Sequence, residues 1–205
     1  SDTYWWAYIH PKAVNLFERQ WLVNLILWGN FARLRDAALA ELGREIPGRT
    51  LQVACVYGDF SGHLANRIVP GGALDIVDVL PIQLMNLRRK LPVGVPVTTY
   101  QRDSTALGFA DASYDQVVIF FLLHEQPAEA RRETMHEAVR VTKPGGNVAL
   151  VAYPAQSLLQ PLGDGFQPEL RWVAPWALEF WRHHLGEWLP ATIRPEQIRK
   201  ETYFG

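Results

Sequence analysis

Cysteine is nearly absent. Cys55 is the single thiol in 205 residues, so neither an intramolecular disulfide nor a cysteine-based zinc site can form, and the chain reads as the product of a reducing, cytoplasmic setting. Excess charge is missing as well. Twenty Lys and Arg against twenty-one Asp and Glu leave a net charge of −1, which supplies no broad positive face for a nucleic-acid backbone. No apolar run approaches the roughly 20 residues of a spanning helix; the longest, WLVNLILW at 21–28, is interrupted by Asn24. The opening Ser1-Asp2-Thr3 has neither Met nor a basic leader, and is read as neither a signal peptide nor a natural start. Fixed-period repeats, low-complexity tracts and long charged runs are absent too. What is abundant is apolar and aromatic: 48% hydrophobic residues, with eight Trp, seven Tyr and nine Phe, enough for one sizeable core in a single domain.

Apolar spacing divides the chain into alternating elements. Pro11 stands where a first helical turn begins, and Val14, Phe17, Trp21, Leu25, Trp28, Leu34, Ala38 and Leu42 follow at helical steps. A helix is therefore predicted over 12–42, broken near Gly29-Asn30, with Gly43 and Pro47-Gly48 as the stop. Beyond it, short β-branched runs at 50–56, 73–79, 95–101, 114–123 and 146–153 take turns with helical patterns at 61–68, 81–90 and 127–141. Strict alternation predicts an α/β fold, a Rossmann-like, mostly parallel sheet with helices on both faces. Residues 49–205 form its body and 1–48 an N-terminal helical cap or lid. The stretch 154–168 reads as irregular, 172–189 as helical, and 198–204 as the start of a sixth strand. No partner for that strand precedes Gly205, so the last strand is expected to be missing.

In an open parallel sheet, ligands lie beyond the carboxyl ends of the strands, which makes the residues there the candidate site. After the first strand, Gly58 permits a tight turn, and the helix opening at Ser61 offers backbone N–H groups to an anion or carboxylate. Asp78, followed by Val79, comes twenty positions after Gly58, the interval at which an acid meets ribose hydroxyls. Asp103 and Ser104 follow the third strand and can bond an adenine amine. Each alone reads equally as a turn or a helix cap; their ordered recurrence over three strand ends points to a nucleoside with a small charged tail. His124 and Glu125, past the fourth strand, can exchange protons beside an acceptor or cap the helix that follows. Asp59, Asp103, His124 and Glu125 carry donor types that manganese accepts, in no recognisable spacing, so a metal ligand set stays unknown. His183 and His184 read as a surface pair.

The order of strand, Gly turn, ribose-type acid, Asp-Ser pair, apolar strand and Lys143-Pro144-Gly145-Gly146 over 50–153 resembles the class I S-adenosylmethionine-dependent methyltransferases. Their DxGxGxG turn would place its acid at Gln52 and its glycines at Ala54, Val56 and Gly58, of which Gly58 alone remains. The resemblance implies cofactor contacts at Gln52, Val56, Tyr57, Gly58, Ser61, Asp78, Val79, Asp103 and Ser104, with the donor amine held otherwise than by the usual acid.

The strings QVACVYGDFS (52–61), WLVNLILWGN (21–30), NLRRKLP (86–92) and FFLLHEQP (120–127) are similar to those of a narrower family, the rhodoquinone biosynthesis proteins, over about 4–205. That resemblance implies that S-adenosylmethionine gives its amino group to the ring of ubiquinone, replacing a methoxy substituent, with a divalent metal such as Mn2+ assisting. Tyr57, His124 and Glu125 are then the expected catalytic residues, Tyr57 either orienting the amine or packing. Tyr4, Trp5, Tyr8 and Tyr153 are expected at the quinone, the aromatic N-terminus being a lid or a helix packed on the sheet. Peripheral association with the inner membrane is expected, Arg88, Arg89 and Lys90 either attracting anionic lipid or forming a solvated helix end. The chain departs from the family after Tyr153, where Pro154-Ala155-Gln156 replaces a histidine-containing stretch. Two readings stand beside this one: methyl transfer to a quinone or phenol, and a non-catalytic nucleoside-binding module at the membrane.

Overall fold

Successive side chains point to opposite faces of a strand and those two positions apart share a face, and here the two sets enter two separate cores. The computed structural model describes residues 31–55, 58–152, 185–191 and 193–194. In chain order these form α1 (Phe31–Leu42), β1 (Arg49–Val53), α2 (Phe60–Ala65), β2 (Ala73–Asp78), α3 (Pro81–Lys90), β3 (Val97–Gln101), β4 (Tyr114–Phe120), α4 (Ala128–Val141) and β5 (Thr142–Val151), with short 3-10 turns at Leu123–Glu125 and Leu185–Trp188. The strands pair in parallel in the order β3-β2-β1-β4-β5, so the winding direction reverses between β1 and β4. That reversal opens a crevice at the strands' carboxyl ends.

On one face Leu74, Ile76, Val118 and Phe120 pack with Phe31, Leu34, Leu39 and Leu42 of α1 and with Leu64 and Leu84. On the other, Leu51, Val53, Val77, Val117 and Ile119 pack with Met135, Ala138 and Val141 of α4 and with Trp188. The helix from 31 to 42 is thus built into the core of the sheet. Residues 1–30, and the predicted elements at 154–168 and 198–204, lie outside the described residues, as does 172–189 except for its last residues.

Among the element ends that differ from the sequence expectation, four of the sheet show where the backbone turns or pairs. β1 stops at Val53 because Ala54 turns to φ 67°. β3 starts at Val97, not at 95, because Pro96 has no N–H to give and the Val97 N–H is spent on Val95 O. β4 stops at Phe120, since Phe121 takes φ 55° and the chain winds into the 3-10 turn. β5 begins early, at Thr142, which pairs with Tyr114 before an irregularity precedes the regular ladder.

One buried polar knot ties the sheet together below the crevice. Asp75, with 5% of its side chain exposed, accepts from Tyr114 Oη at 2.7 Å and from Arg49 Nη2 at 2.7 Å. Burial together with the bond to Asp75 pushes the Tyr114 hydroxyl far above the usual phenol range, so it stays a donor. Tyr114→Phe leaves a buried carboxylate oxygen with one donor fewer and is expected to lower stability by about 1–2 kcal/mol, read as a lower urea midpoint at unchanged slope.

Candidate active site

The turn after β1 and the acid after β2 are joined directly. Ala54 N donates to Val77 O at 2.9 Å, Cys55 N donates to Asp78 Oδ2 at 2.9 Å, and Leu80 N donates to Asp78 Oδ1 at 2.9 Å. The Cys55 thiol adds a contact to the same Oδ2 at 3.4 Å. Burial raises the Asp78 pKa above the ordinary carboxylate range, and the Leu80 and Cys55 donors only partly restrain it. Asp78 is therefore a nearly enclosed carboxylate with lone pairs left for a ligand's hydroxyls.

Beside it lies a cleft of about 340 Å³. Of the residues expected from the sequence, Asp78, Val79, Asp103, Ser104 and Glu125 line this cleft. Asp103 Oδ1 accepts from Thr105 N at 2.9 Å and Thr105 Oγ1 at 2.8 Å, which fixes the carboxylate at the turn after β3. Ser104 Oγ is 2.8 Å from Thr134 Oγ1 and accepts from Gln126 Nε2 at 2.9 Å, tying this wall to α4. Cys55, Arg102 and Gln126 also line the cleft and were not anticipated. Cys55 and Gln126 sit inside the strings QVACVYGDFS and FFLLHEQP, whose distinctiveness was the available signal.

Other expected residues lie elsewhere. Gln52 is fully buried and is not part of the cleft lining; its Nε2 donates to Ser61 Oγ at 2.8 Å and to Ala54 O at 2.9 Å, stitching β1 to the first turn of α2, while Oε1 has no hydrogen-bond partner among the described residues. Ser61, also buried, is engaged in that stitch. Gly58 has φ 99° and lies against Phe31, so a Cβ there would overlap the ring at Cζ. Gly58→Ala combines left-handed strain with overpacking and is expected to cost about 2–4 kcal/mol in a urea unfolding curve. Asp59 is taken by Arg35 Nη1 at 2.8 Å and His63 Nε2 at 3.2 Å; burial opposes ionisation, yet Arg35 and His63 hold its carboxyl below the usual range. Val56, Tyr57, Tyr4, Trp5, Tyr8 and Tyr153 lie outside the described residues.

The two residues past β4 part company. Glu125 stands on the cleft wall, whereas His124 is not part of its lining. The imidazole lies against the Phe121 ring, 6.2 Å between centroids, with Nε2 3.8 Å from Glu125 Oε1 and Nδ1 without a hydrogen-bond partner among the described residues. Burial, with the Arg131 guanidinium nearby, lowers its pKa to about 4. Neither residue caps α4, whose N-cap position is Pro127. The turn is instead held from behind: Arg131, fully buried, donates from Nε to Leu123 O at 2.9 Å and sits 5.4 Å from the Trp188 ring centre. Among the described residues no three His, Cys, Asp or Glu side chains gather as a metal site requires.

An acid at the end of β2, an Asp-Ser pair after β3 and a crevice at the reversal of the sheet are features that a doubly wound α/β domain can offer to a nucleoside. Residues 50–146 match the family described as "Methyltransferase domain". In sequence the chain is 30% identical over 134 residues to a demethylmenaquinone methyltransferase of Thermus thermophilus, the match covering 65% of this chain and 60% of that protein. The chain thus spans less than two thirds of that curated relative's length. In structure it is similar to an O-methyltransferase family protein of Burkholderia thailandensis (TM-score 0.57, 17% identity, 82% of this chain and 52% of that one). It is also similar to a SAM-dependent methyltransferase of Aquifex aeolicus (TM-score 0.54, 16% identity, 76% and 88%). At these identities the structures establish the fold alone.

Proposed function

We propose that the chain is an S-adenosylmethionine-dependent transferase acting on a membrane quinone, and that it transfers the donor's amino group to the ubiquinone ring in place of a methoxy group, forming rhodoquinone. The acceptor class is supported by the relative whose name is demethylmenaquinone methyltransferase. The aminating reading rests on one observation. Where the superfamily pattern has an acid on β1, this chain has Gln52, whose N–H groups serve Ser61 and Ala54 O, and the next acid along, Asp59, is already paired with Arg35. Without an acid on β1 to hold its charge, the donor's ammonium gives up its proton more readily to become the neutral amine, the form that attacks a ring carbon.

The residues present fit the donor. Asp78 offers its carboxylate to the ribose hydroxyls, and Asp103 with Ser104 lines the side where a purine amine would lie. The two transfers break different bonds of the donor. Methylation breaks sulfur to methyl, whereas amination joins nitrogen to the ring, expels methoxide, and then breaks Cα to nitrogen by elimination. In that elimination the electron pair and a proton go to nitrogen, the Cβ proton goes to a base, and the donor's carbon chain leaves as the α,β-unsaturated acid. Glu125, the carboxyl on the cleft wall, is the group placed to pass a proton to the methoxide oxygen. The manganese implied by the narrower resemblance meets no three ligating side chains among the described residues, and no step is routed through it.

Donor carrying heavy nitrogen at the amine and heavy carbon at the methyl, incubated with ubiquinone and the protein, separates the readings by the mass of the quinone. Heavy nitrogen in the ring with loss of a methoxy group is the expected result. Heavy carbon in the product establishes methyl transfer, the reading that the relative's name favours, and neither label leaves a binding module.

A further inference from the structure

Between positions 79 and 101 the chain has no Asp, Glu or His and carries Arg88, Arg89 and Lys90, a local excess of three positive charges in a protein whose net charge is −1. This stretch is α3, the turn after it and β3, which is an edge strand of the sheet. The same stretch holds all the exposed large apolar side chains found among the described residues: Val79 at 56%, Met85 at 47% and Val93 at 104% exposure. Pro81, Met85, Arg88 and Arg89 are exposed at three- and four-residue steps and so share one face of α3. Val93 stands in the turn Leu91-Pro92-Val93-Gly94-Val95-Pro96, in which no side chain has a polar atom. Gly94, at φ 82°, shapes that turn with open space around it. Arg88 Nε donates to Thr99 Oγ1 at 2.8 Å, which braces the basic end of α3 against β3.

An apolar tip bordered by guanidinium and ammonium groups, with no acid near it in sequence, matches a surface of two chemistries: negative charge at the rim and a phase that accepts Val93 and Met85. An acidic protein partner would answer the charge and leave Val93 in water, and a nucleic acid would do the same. We propose that the exposed face of α3, the turn 91–96 and the β3 edge form the docking surface of this protein for an anionic phospholipid bilayer, with Val93 entering the boundary between headgroups and acyl chains. This deepens the quinone reading, because a lipid-soluble acceptor resides in such a bilayer, yet it is measured without quinone or donor.

The test is co-sedimentation of the full chain with vesicles of phosphatidylcholine, with and without phosphatidylglycerol. Binding is expected to the anionic vesicles alone and to weaken with salt. Losing two cationic groups in Arg88→Ala/Arg89→Ala is expected to weaken partitioning about thirtyfold. Val93→Asp is expected to weaken it as well, while Arg132→Ala, at an exposed position of α4 on the other face of the sheet, leaves it unchanged. Val93→Cys with an environment-sensitive label, Cys55 being buried, is expected to brighten on anionic vesicles. Equal binding to both vesicle types, wild-type binding by the Arg88/Arg89 or Val93 variants, an unresponsive label at 93, or RNA binding stronger than vesicle binding overturns the proposal. If vesicle binding holds and the labelled donor leaves the quinone unchanged, the acceptor reading alone fails; ring labelling without vesicle binding removes the docking surface alone.

Discussion

Asp78→Ala weakens binding of S-adenosylmethionine, or of its demethylated product, about a hundredfold in titration calorimetry, while the protein stays folded. The size follows from two charge-assisted hydrogen bonds to ribose hydroxyls at about 1.5 kcal/mol or more each, since about 3 kcal/mol is a hundredfold in affinity. Stability follows a separate course. Burial raises the pKa of Asp78 in the folded protein above its unfolded value, so its contribution to stability is full below the unfolded pKa and is lost as pH rises through the folded one. Once ionised, the carboxylate is held by the N–H groups of Cys55 and Leu80. Removing it relieves desolvation and strands those two donors, opposing effects that leave unfolding free energy within about 1 kcal/mol of wild type. Donor affinity of the wild type falls on acidification, beginning at higher pH than an exposed Asp would give. Asp78→Asn, which cannot titrate, removes that dependence. An unchanged affinity in Asp78→Ala would dismiss the cleft as the donor site.

Strands and helices were legible because their signal is periodic: Val117 and Ile119 alternate with Val118 and Phe120 of the opposite core, and the helical stripe of α4 needs nothing beyond its own spacing. Strand ends were not, because positive φ at Ala54 and Phe121 is imposed by the turns they enter and neither side chain announces it. Among site residues, Asp78 and Asp103 could be read from their intervals, since strand order alone carries them to the crevice. Gln52 could be placed on β1 but not oriented, and its direction depended on Ser61, nine positions away across a turn. Arg131 carries no signal of its own in the sequence, although the buried stripe Arg131, Thr134, Met135, Ala138 and Val141 runs at helical steps and contains it. An arginine in such a stripe reads as surface charge until the carbonyl and ring that receive it are seen, here Leu123 O and Trp188.

That buried guanidinium bears on the strongest pH effect expected of the molecule. His124 has 19% of its side chain exposed, and burial plus Arg131 depresses its pKa from 6.5 to about 4. An unfolded chain therefore takes up the proton first. The stabilising contribution is complete above pH 6.5 and drains away as pH falls to about 4, amounting to about 3 kcal/mol for a shift of this size. Urea unfolding measured between pH 7 and pH 4 should show this loss in the wild type, while His124→Gln, which does not titrate, should be flatter by that amount once common carboxylate effects are subtracted. The same depression fixes how the imidazole can serve catalysis: it is neutral throughout the physiological range, able to accept or donate a hydrogen bond beside Glu125 but not to act as a stored proton. A turnover profile with an acid limb near 6.5 that vanishes in His124→Gln would show a charged, exposed ring and contradict the burial. A profile level through that region, with lowered turnover in Glu125→Gln at unchanged donor affinity, would assign proton transfer to the carboxylate that lines the cleft.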